Sequence, residues 1–251
     1  MPRPNYKLAS MTYEEAQRLI DRGAVGLLPC GAMEAHGPHL PLETDVIIAV
    51  ESAMRAASAL AREDIYAVVL PPIAYTVADF AESFGGTITL PADVVRNYVR
   101  AVCYGAIKAG LRGVVLCNAH LEPQNLDVLR SVSVEALSRG TRVHFPDITR
   151  KPHSLRLGDE FRSGACHAGA YETSLVMAAD PFQVREVSAE LPANSTSLSL
   201  AVRDGKLSFV EAGGPRAYFG DPASASASSG DELYEELADI YAAAAREVLA
   251  P

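Results

Sequence analysis

The stretch Gly31-Ala-Met-Glu-Ala-His-Gly-Pro-His-Leu-Pro-Leu-Glu-Thr-Asp45 carries the strongest structural and chemical signal in this chain. Residues 24–28 before it are apolar, as in a buried strand, and residues 46–61 after it have the pattern of a helix. The connection between them is long, polar and stiffened by two prolines. Polar side chains held between a buried strand and a buried helix need partners, and this favours a metal site.

The spacing of the acids and the histidine within this stretch supports a site for divalent ions. Glu34 and His36 are two residues apart, so in an extended segment both side chains point to the same side. Asp45 stands where the following helix begins, and there it would cap the helix or bridge two ions. Carboxylate and imidazole ligands without thiolate suit zinc or manganese in a hydrolytic site better than structural zinc.

Strand and helix patterns alternate along the rest of the chain. Buried strands are predicted at residues 24–28, 65–70, 113–117 and 142–145, and helices at 12–21, 46–61, 91–109, 123–140, 168–179 and 231–249. Residues 151–166 are predicted to be an irregular excursion and residues 223–229 a surface loop. This alternation predicts an α/β fold with a mainly parallel central sheet covered on both faces, in one domain spanning residues 1–251.

A second pair of possible ligands, His120 and Glu122, follows the strand predicted at 113–117. Sites in parallel sheets form outside the carboxyl ends of the strands, so this pair should meet Glu34 and His36 at one edge. With Asp45, the set has three carboxylates and two imidazoles, which suits two divalent ions that activate a water and polarise a carbonyl oxygen. The expected reaction is hydrolysis of an amide or similar C–N bond. Any one of these residues alone is better explained as a helix cap or a hydrogen-bonded histidine.

A third group lies at Cys166, His167 and Glu172, around the start of the helix predicted at 168–179. His167 would act as a general acid or base or hold a tetrahedral intermediate. Glu172 would orient His167 or a metal ligand, and the alternative is that it only favours the helix N-terminus. Cys166 is either a reactive thiol or a packed side chain, and packing is the preferred interpretation.

Charge and hydropathy exclude several classes of function. The formal net charge of −9 argues against nucleic acid or an anionic membrane as a partner. Residues 1–10 lack the apolar core of a signal peptide, and no apolar run approaches the ~20 residues that span a bilayer. The four cysteines form no C-x-x-C pair. We therefore expect a cytoplasmic protein.

The three motifs 31–45 (GAMEAHGPHLPLETD), 118–122 (NAHLE) and 167–174 (HAGAYETS) resemble the creatininase (creatinine amidohydrolase) family, in the family's order. The resemblance implies a three-layer αβα sandwich, a binuclear zinc or manganese centre and a homohexamer. It implies that Glu34, Asp45 and His120 hold one ion and that His36, Asp45 and Glu122 hold the other, with Asp45 as the bridge. His167 matches the family's catalytic histidine.

This chain departs from the family pattern in two places. Many members have a glutamate where Ala170 stands, and the resemblance implies that Glu122 in the second motif takes its place here, as in creatininase proper. The chain also has no tryptophan, whereas creatininase proper packs creatinine with tryptophans in the segment corresponding to residues 151–166. The first departure keeps the number of ligands, and the second argues against creatinine as the substrate.

The sequence thus predicts a metal-dependent amidohydrolase, with His167 and Glu172 in catalysis and two divalent ions per chain, acting on an amide or lactam bond of a small molecule. The alternatives are a peptidase or N-formyl hydrolase of the same family, and a metal-binding paralogue that has lost catalysis. Arg156 and Arg162 hint at an acidic substrate, although solvated surface charges are the commoner explanation.

Overall fold

A parallel sheet of four strands forms the centre of the protein in a computed structural model that describes residues 5–250. The strands are β1 (Val25–Cys30), β2 (Ala67–Val69), β3 (Val114–Asn118) and β4 (Val143–His144). Their order in the sheet is β2-β1-β3-β4, and every pairing is parallel. The prediction of a mainly parallel sheet is confirmed. The N-terminal stretch 1–10 was predicted to lack a signal-peptide core, and its residues 1–4 lie outside the described part.

Eight α-helices surround the sheet in the described part of the chain. They are α1 (Tyr13–Asp21), α2 (Thr44–Ala61), α3 (Ala92–Lys108), α4 (Pro123–Ser138), α5 (Gly158–Ser163), α6 (Ala170–Ala179), α7 (Leu198–Arg203) and α8 (Ala227–Leu249). None of these helices, within residues 5–250, combines the length and apolar character needed to cross a bilayer.

Alternate residues of each strand pack into two separate cores, as the period of two in a strand requires. Val115 and Cys117 of β3 belong to the core shared with α2, α6 and α8. Val114 and Leu116 belong to the core shared with α3 and α4. The helices therefore cover both faces of the sheet, and the three-layer αβα architecture is confirmed.

Local sequence signals explain the starts of three helices. Thr12 and Glu15 form the capping box that starts α1, and Pro123 occupies the first turn of α4, where its missing N–H costs nothing. The predicted surface loop at 223–229 is wrong in its second half. There, the Ser226 hydroxyl accepts a hydrogen bond from the Ser229 N–H and starts α8 at Ala227.

The adjacent central strands place the candidate site. Cys30 at the end of β1 is aligned with Asn118 at the end of β3, so the two polar connections leave the sheet side by side. The connection after β1 leads into α2 and the connection after β3 leads into α4. Side chains far apart in sequence therefore meet at this carboxyl edge.

Candidate metal centre

All seven residues expected in the site are buried and lie together at the carboxyl edge of β1 and β3. They are Glu34, His36, Asp45, His120, Glu122, His167 and Glu172. The connection after β1 supplies the first two, the first turn of α2 supplies Asp45, and the connection after β3 supplies His120 and Glu122. His167 precedes α6, and Glu172 lies in the first turn of α6.

Each of the three histidines is held by a backbone carbonyl on the ring nitrogen that faces away from the cluster. His36 Nδ1 lies 3.1 Å from the carbonyl of Glu34, and His120 Nε2 lies 2.7 Å from the carbonyl of Val77. His167 Nε2 lies 3.0 Å from the carbonyl of Ala35. A carbonyl only accepts, so these ring nitrogens carry the protons. The other nitrogen of each ring faces the carboxylates and can bind a proton or a metal ion, which is the arrangement found around protein-bound metals.

Asp45 stands between two of these ring nitrogens. Its Oδ1 lies 3.4 Å from His36 Nε2, and its Oδ2 lies 3.0 Å from His120 Nδ1. Glu34 Oε1 approaches the same two nitrogens, at 3.7 Å and 3.2 Å. One carboxylate thus presents a separate oxygen to each imidazole, which is the geometry that a bridging ligand needs.

The two remaining glutamates lie on opposite sides of Asp45. Glu122 groups with Glu34 and His120, and its oxygens accept hydrogen bonds from the Asp79 and Phe80 N–H groups at 3.1 Å and 3.3 Å. Glu172 groups with His36 and Asp45, and its Oε2 lies 3.5 Å from His36 Nε2. This grouping differs from the one that the resemblance implied, because Glu172 stands beside His36 where Glu122 was expected.

Several buried atoms of the cluster have no hydrogen-bond partner among the described residues. They are Glu34 Oε2, His36 Nε2 and Asp45 Oδ2. Four buried carboxylates also place a formal charge of about −4 in a region with low solvent access, and an uncompensated buried charge is costly. Two divalent cations would neutralise that charge and satisfy the orphaned atoms. The donor set of this structure therefore fits two ions.

The protonation of the cluster shows the same demand for positive charge. Burial opposes a charge on His36, but Asp45, Glu172 and Glu34 outweigh it and raise its pKa to about 10. Burial likewise opposes a charge on His120, and Glu34 and Asp45 raise its pKa well above the usual value. Burial raises the pKa of Glu172 to about 8, against the pull of His36. Protons take the positions that metal ions would occupy.

His167 differs electrostatically from the other two histidines. Burial and the nearby charge of His36 lower the pKa of His167 to about 4, so the ring is neutral near pH 7. Its Nδ1 lies 3.8 Å from Glu34 and 4.0 Å from Glu172, and its ring packs against Phe209 with a centroid separation of 4.2 Å. A neutral, oriented ring next to a cavity can accept a proton and return it.

Contacts of three further residues define their roles. His39 lies in the first motif, and its Nε2 is 2.9 Å from the Thr173 hydroxyl. Burial raises the pKa of Cys166, and Glu172 and Glu160 raise it further, which removes the case for a reactive thiolate. Arg156 was a hint of an acidic substrate, but it is paired with Glu236 and Asp239 on α8.

The sequence interpretation missed residues that fix the ligands in place. The side-chain amides of Asn118 and Asn125 donate to the carbonyl of His120 at 2.7 Å and 3.0 Å and so fix the connection after β3. Glu160 accepts hydrogen bonds from the N–H groups of Ala170 and Tyr171 at the start of α6. Asn118 stands in the second motif and could have been found from it, whereas nothing near Glu160 in the sequence indicates this contact.

The fold and this cluster define an α/β protein with a candidate centre for two metal ions at the carboxyl edge of a parallel sheet. A sequence model described as Creatininase: Creatinine amidohydrolase matches residues 9–245. The chain belongs to this family of hydrolases.

Relatives of two kinds resemble the chain. The mycofactocin precursor peptide peptidase of Mycobacterium ulcerans (strain Agy99) is 31% identical over 223 residues, which cover 85% of this chain and 81% of that protein. The creatinine amidohydrolase of Pseudomonas putida is 26% identical over 196 residues, covering 69% of this chain and 72% of that protein. A solved structure described as "Creatininase Mn" superposes with a TM-score of 0.75 at 22% identity, covering 99% of this chain and 100% of that one. The last likeness supports the fold alone.

Proposed function

We propose that this chain is a metal-dependent hydrolase that cleaves an amide C–N bond, with two divalent ions, zinc or manganese, held in the buried cluster. The observation that carries the proposal is the orientation of the histidines. His36 and His120 each turn the ring nitrogen that no carbonyl holds towards Asp45, while their other nitrogens are bound to carbonyls. A cation between each nitrogen and the carboxylate stabilises this arrangement, and a divalent ion can replace the proton that holds the position at neutral pH.

The grouping of side chains suggests how the ligands divide. One ion would be held by Glu34, His120 and Glu122, the other by His36 and Glu172, and Asp45 would contribute one oxygen to each. This assigns Glu172 to the metal rather than to catalysis alone. When bound, the ions would activate a water molecule and polarise the substrate carbonyl.

His167 would handle the proton in this reaction. Its Nε2 is fixed by the carbonyl of Ala35, so only Nδ1 is free to accept a proton. Nδ1 faces Glu34 and Glu172 on the cavity side of the cluster, where a water and a leaving amine would lie. We propose that it takes a proton from the water and delivers it to the departing nitrogen.

Metal content per chain tests this proposal. We expect about two ions per chain in the zinc- or manganese-loaded protein, and the loss of one in each of Glu172→Gln and Glu122→Gln. Glu190→Gln is the matched control, because Glu190 is exposed and its side chain has no hydrogen bond or ion pair among residues 5–250. One ion or none in the wild-type protein would contradict the binuclear centre and favour a paralogue without catalysis. Unchanged metal content in Glu172→Gln would contradict its assignment as a ligand.

The substrate class has two candidates within amide hydrolysis. A small amide or lactam is the first, by the family's name. A short peptide is the second, and it is favoured by the cavity of about 680 Å³ that opens from the cluster, because this space far exceeds a single small ring. The peptidase name of the M. ulcerans relative supports the same choice. An assay of lactams, formamides and short peptides with the metal-loaded protein separates them.

We also propose that residues 1–251 act as one domain, supported by the span of the family match over residues 9–245. The homohexamer implied by the resemblance stays a prediction, which light scattering after size-exclusion chromatography would test.

A further inference from the structure

The cavity that opens from the cluster has its charges sorted by sign. All the acidic side chains in its wall belong to the metal cluster. The basic side chains in its wall lie away from those acids, on α4, the segment after β4, α5 and α7. They are Arg130, Lys151, Arg162 and Arg203. A cavity with a metal centre at one end and cations elsewhere in its wall attracts a ligand with an anionic group beyond its reacting part.

Two of these cations already have carboxylate partners. Arg130 is paired with Asp127 at 2.8 Å and with Asp147 at 2.7 Å, and Arg162 is paired with Asp159. Lys151 and Arg203 have no carboxylate within 4.0 Å and no side-chain hydrogen bond among residues 5–250. They are the two wall cations left to bind a ligand.

Both free cations stand on anchored backbone. Lys151 directly follows the turn at Asp147, whose carboxylate accepts hydrogen bonds from Arg130 Nε and the Thr149 hydroxyl at 2.8 Å and 2.6 Å. Arg203 ends α7, and the start of α7 is tied to the end of α5 by the Ser197 hydroxyl, which donates to the carbonyl of Ser163 at 2.7 Å. The fold therefore defines the backbone positions from which the two side chains reach the cavity.

Helix geometry gives the extent of the cavity wall along α4. Arg130 lies eight residues after Glu122 along α4, which at about 1.5 Å per residue corresponds to about 12 Å. An extended chain of about three to four peptide units covers that distance. The wall is mainly apolar and includes Leu126, Leu155, Leu198 and Val202. Leu155 is 49% exposed, so a ligand there would bury apolar surface.

We propose that the cavity selects a linear amide that carries a carboxylate beyond its scissile bond, and that Lys151 and Arg203 attract this carboxylate. This inference rests on the proposed function, since it places the scissile amide at the metal cluster. It adds a specificity site that lies outside the motifs of the first half of the chain.

The test uses probes that hold the metal end constant. Straight-chain dicarboxylic acid monohydroxamates of graded length carry a metal-binding hydroxamate at one end and a carboxylate at the other, and the matched probes end in a carboxamide. Their affinities for the zinc-loaded protein are measured by isothermal titration calorimetry. We expect the carboxylate probe of the best length to bind about tenfold more tightly than its carboxamide, equivalent to about 1.4 kcal/mol, with the difference shrinking as salt is added.

The variant Lys151→Met/Arg203→Met should lose this preference and keep the affinity for the carboxamide probe. Both residues are exposed, so the substitutions should leave the fold intact. Lys108→Met/Lys206→Met removes the same charge from exposed positions outside the cavity wall and should keep the preference.

The possible outcomes distinguish a failure of this inference from a failure of the proposed function. Equal affinity for the carboxylate and carboxamide probes in the wild-type protein would overturn the inference while the hydroxamate still reports a working metal site. A preference that survives in Lys151→Met/Arg203→Met would also overturn it. If neither probe binds the metal-loaded protein, the proposed function fails and the inference falls with it.

Discussion

Removal of the Glu160 carboxylate should destabilise the protein far more than removal of a typical half-buried acid. Its Oε2 accepts hydrogen bonds from the N–H groups of Ala170 at 3.0 Å and Asp221 at 2.8 Å, and its Oε1 accepts one from the Tyr171 N–H at 2.8 Å. The N-cap of α6, Gly169, has no side chain that could cap the helix. Glu160 therefore caps, from α5, the helix that carries a metal-cluster carboxylate.

The magnitude follows from these contacts. Glu160→Ala leaves three N–H groups without their charged acceptor, at about 1.5–3 kcal/mol for each such bond before non-additivity, so we expect a loss of about 4 kcal/mol. Glu160→Gln can keep one oxygen on Ala170 and Asp221 but turns an NH₂ group towards Tyr171. We expect it to lose about 2 kcal/mol.

Urea denaturation of the metal-free protein measures both values, since bound metal would add its own contribution to stability. The urea concentration at the unfolding midpoint should fall in the order wild type, Glu160→Gln, Glu160→Ala, while the dependence of the unfolding free energy on urea stays unchanged. Glu190→Ala serves as the control and should stay within about 0.5 kcal/mol of wild type. If Glu160→Ala were as stable as Glu190→Ala, the capping role would be refuted.

Three further predictions concern the cluster itself. Metal affinity should rise with pH through neutrality. The pKa of His36 is raised to about 10 and that of His120 is raised as well, so both rings must release protons when metal binds. Calorimetry in buffers of different ionisation enthalpy counts the released protons. Gly31→Ala should lower both metal content and thermal stability, because its Cβ would lie 2.7 Å from the Val46 nitrogen and 2.9 Å from Asp45 Cβ. Cys166→Ala should keep turnover on whichever amide the substrate screen identifies, and an inactive but folded and metal-loaded variant would contradict its packing role.

Strong local signals let the sequence predict the parallel sheet and the two ends of β1 and β3 that carry candidate metal ligands. Apolar runs can only be buried, and polar residues directly after them must leave the sheet at its carboxyl edge. The motif 31–45 located Glu34, His36 and Asp45 correctly at that edge. The capping box at Thr12 also fixed the start of α1, because both of its hydrogen bonds are local.

The sequence could not decide how the carboxylates pair with the imidazoles. Glu122 was expected beside His36, but the structure places it with Glu34 and His120 and brings Glu172 to His36. That choice depends on how α6 packs against α2, a contact between segments separated by more than a hundred residues. Residue types alone do not encode such a distance.

The division between sequence and structure thus follows the range of the interactions. The sequence by itself determined the family, the alternation of strands and helices and the seven residues of the cluster, because capping, hydrophobic periodicity and motif spacing act over a few residues. Only the tertiary structure decided the grouping of the ligands, the cap that Glu160 places on α6 and the free cations Lys151 and Arg203 in the cavity wall. Those features arise where distant segments pack, and the positions of their side chains are fixed by the whole core rather than by their neighbours in the chain.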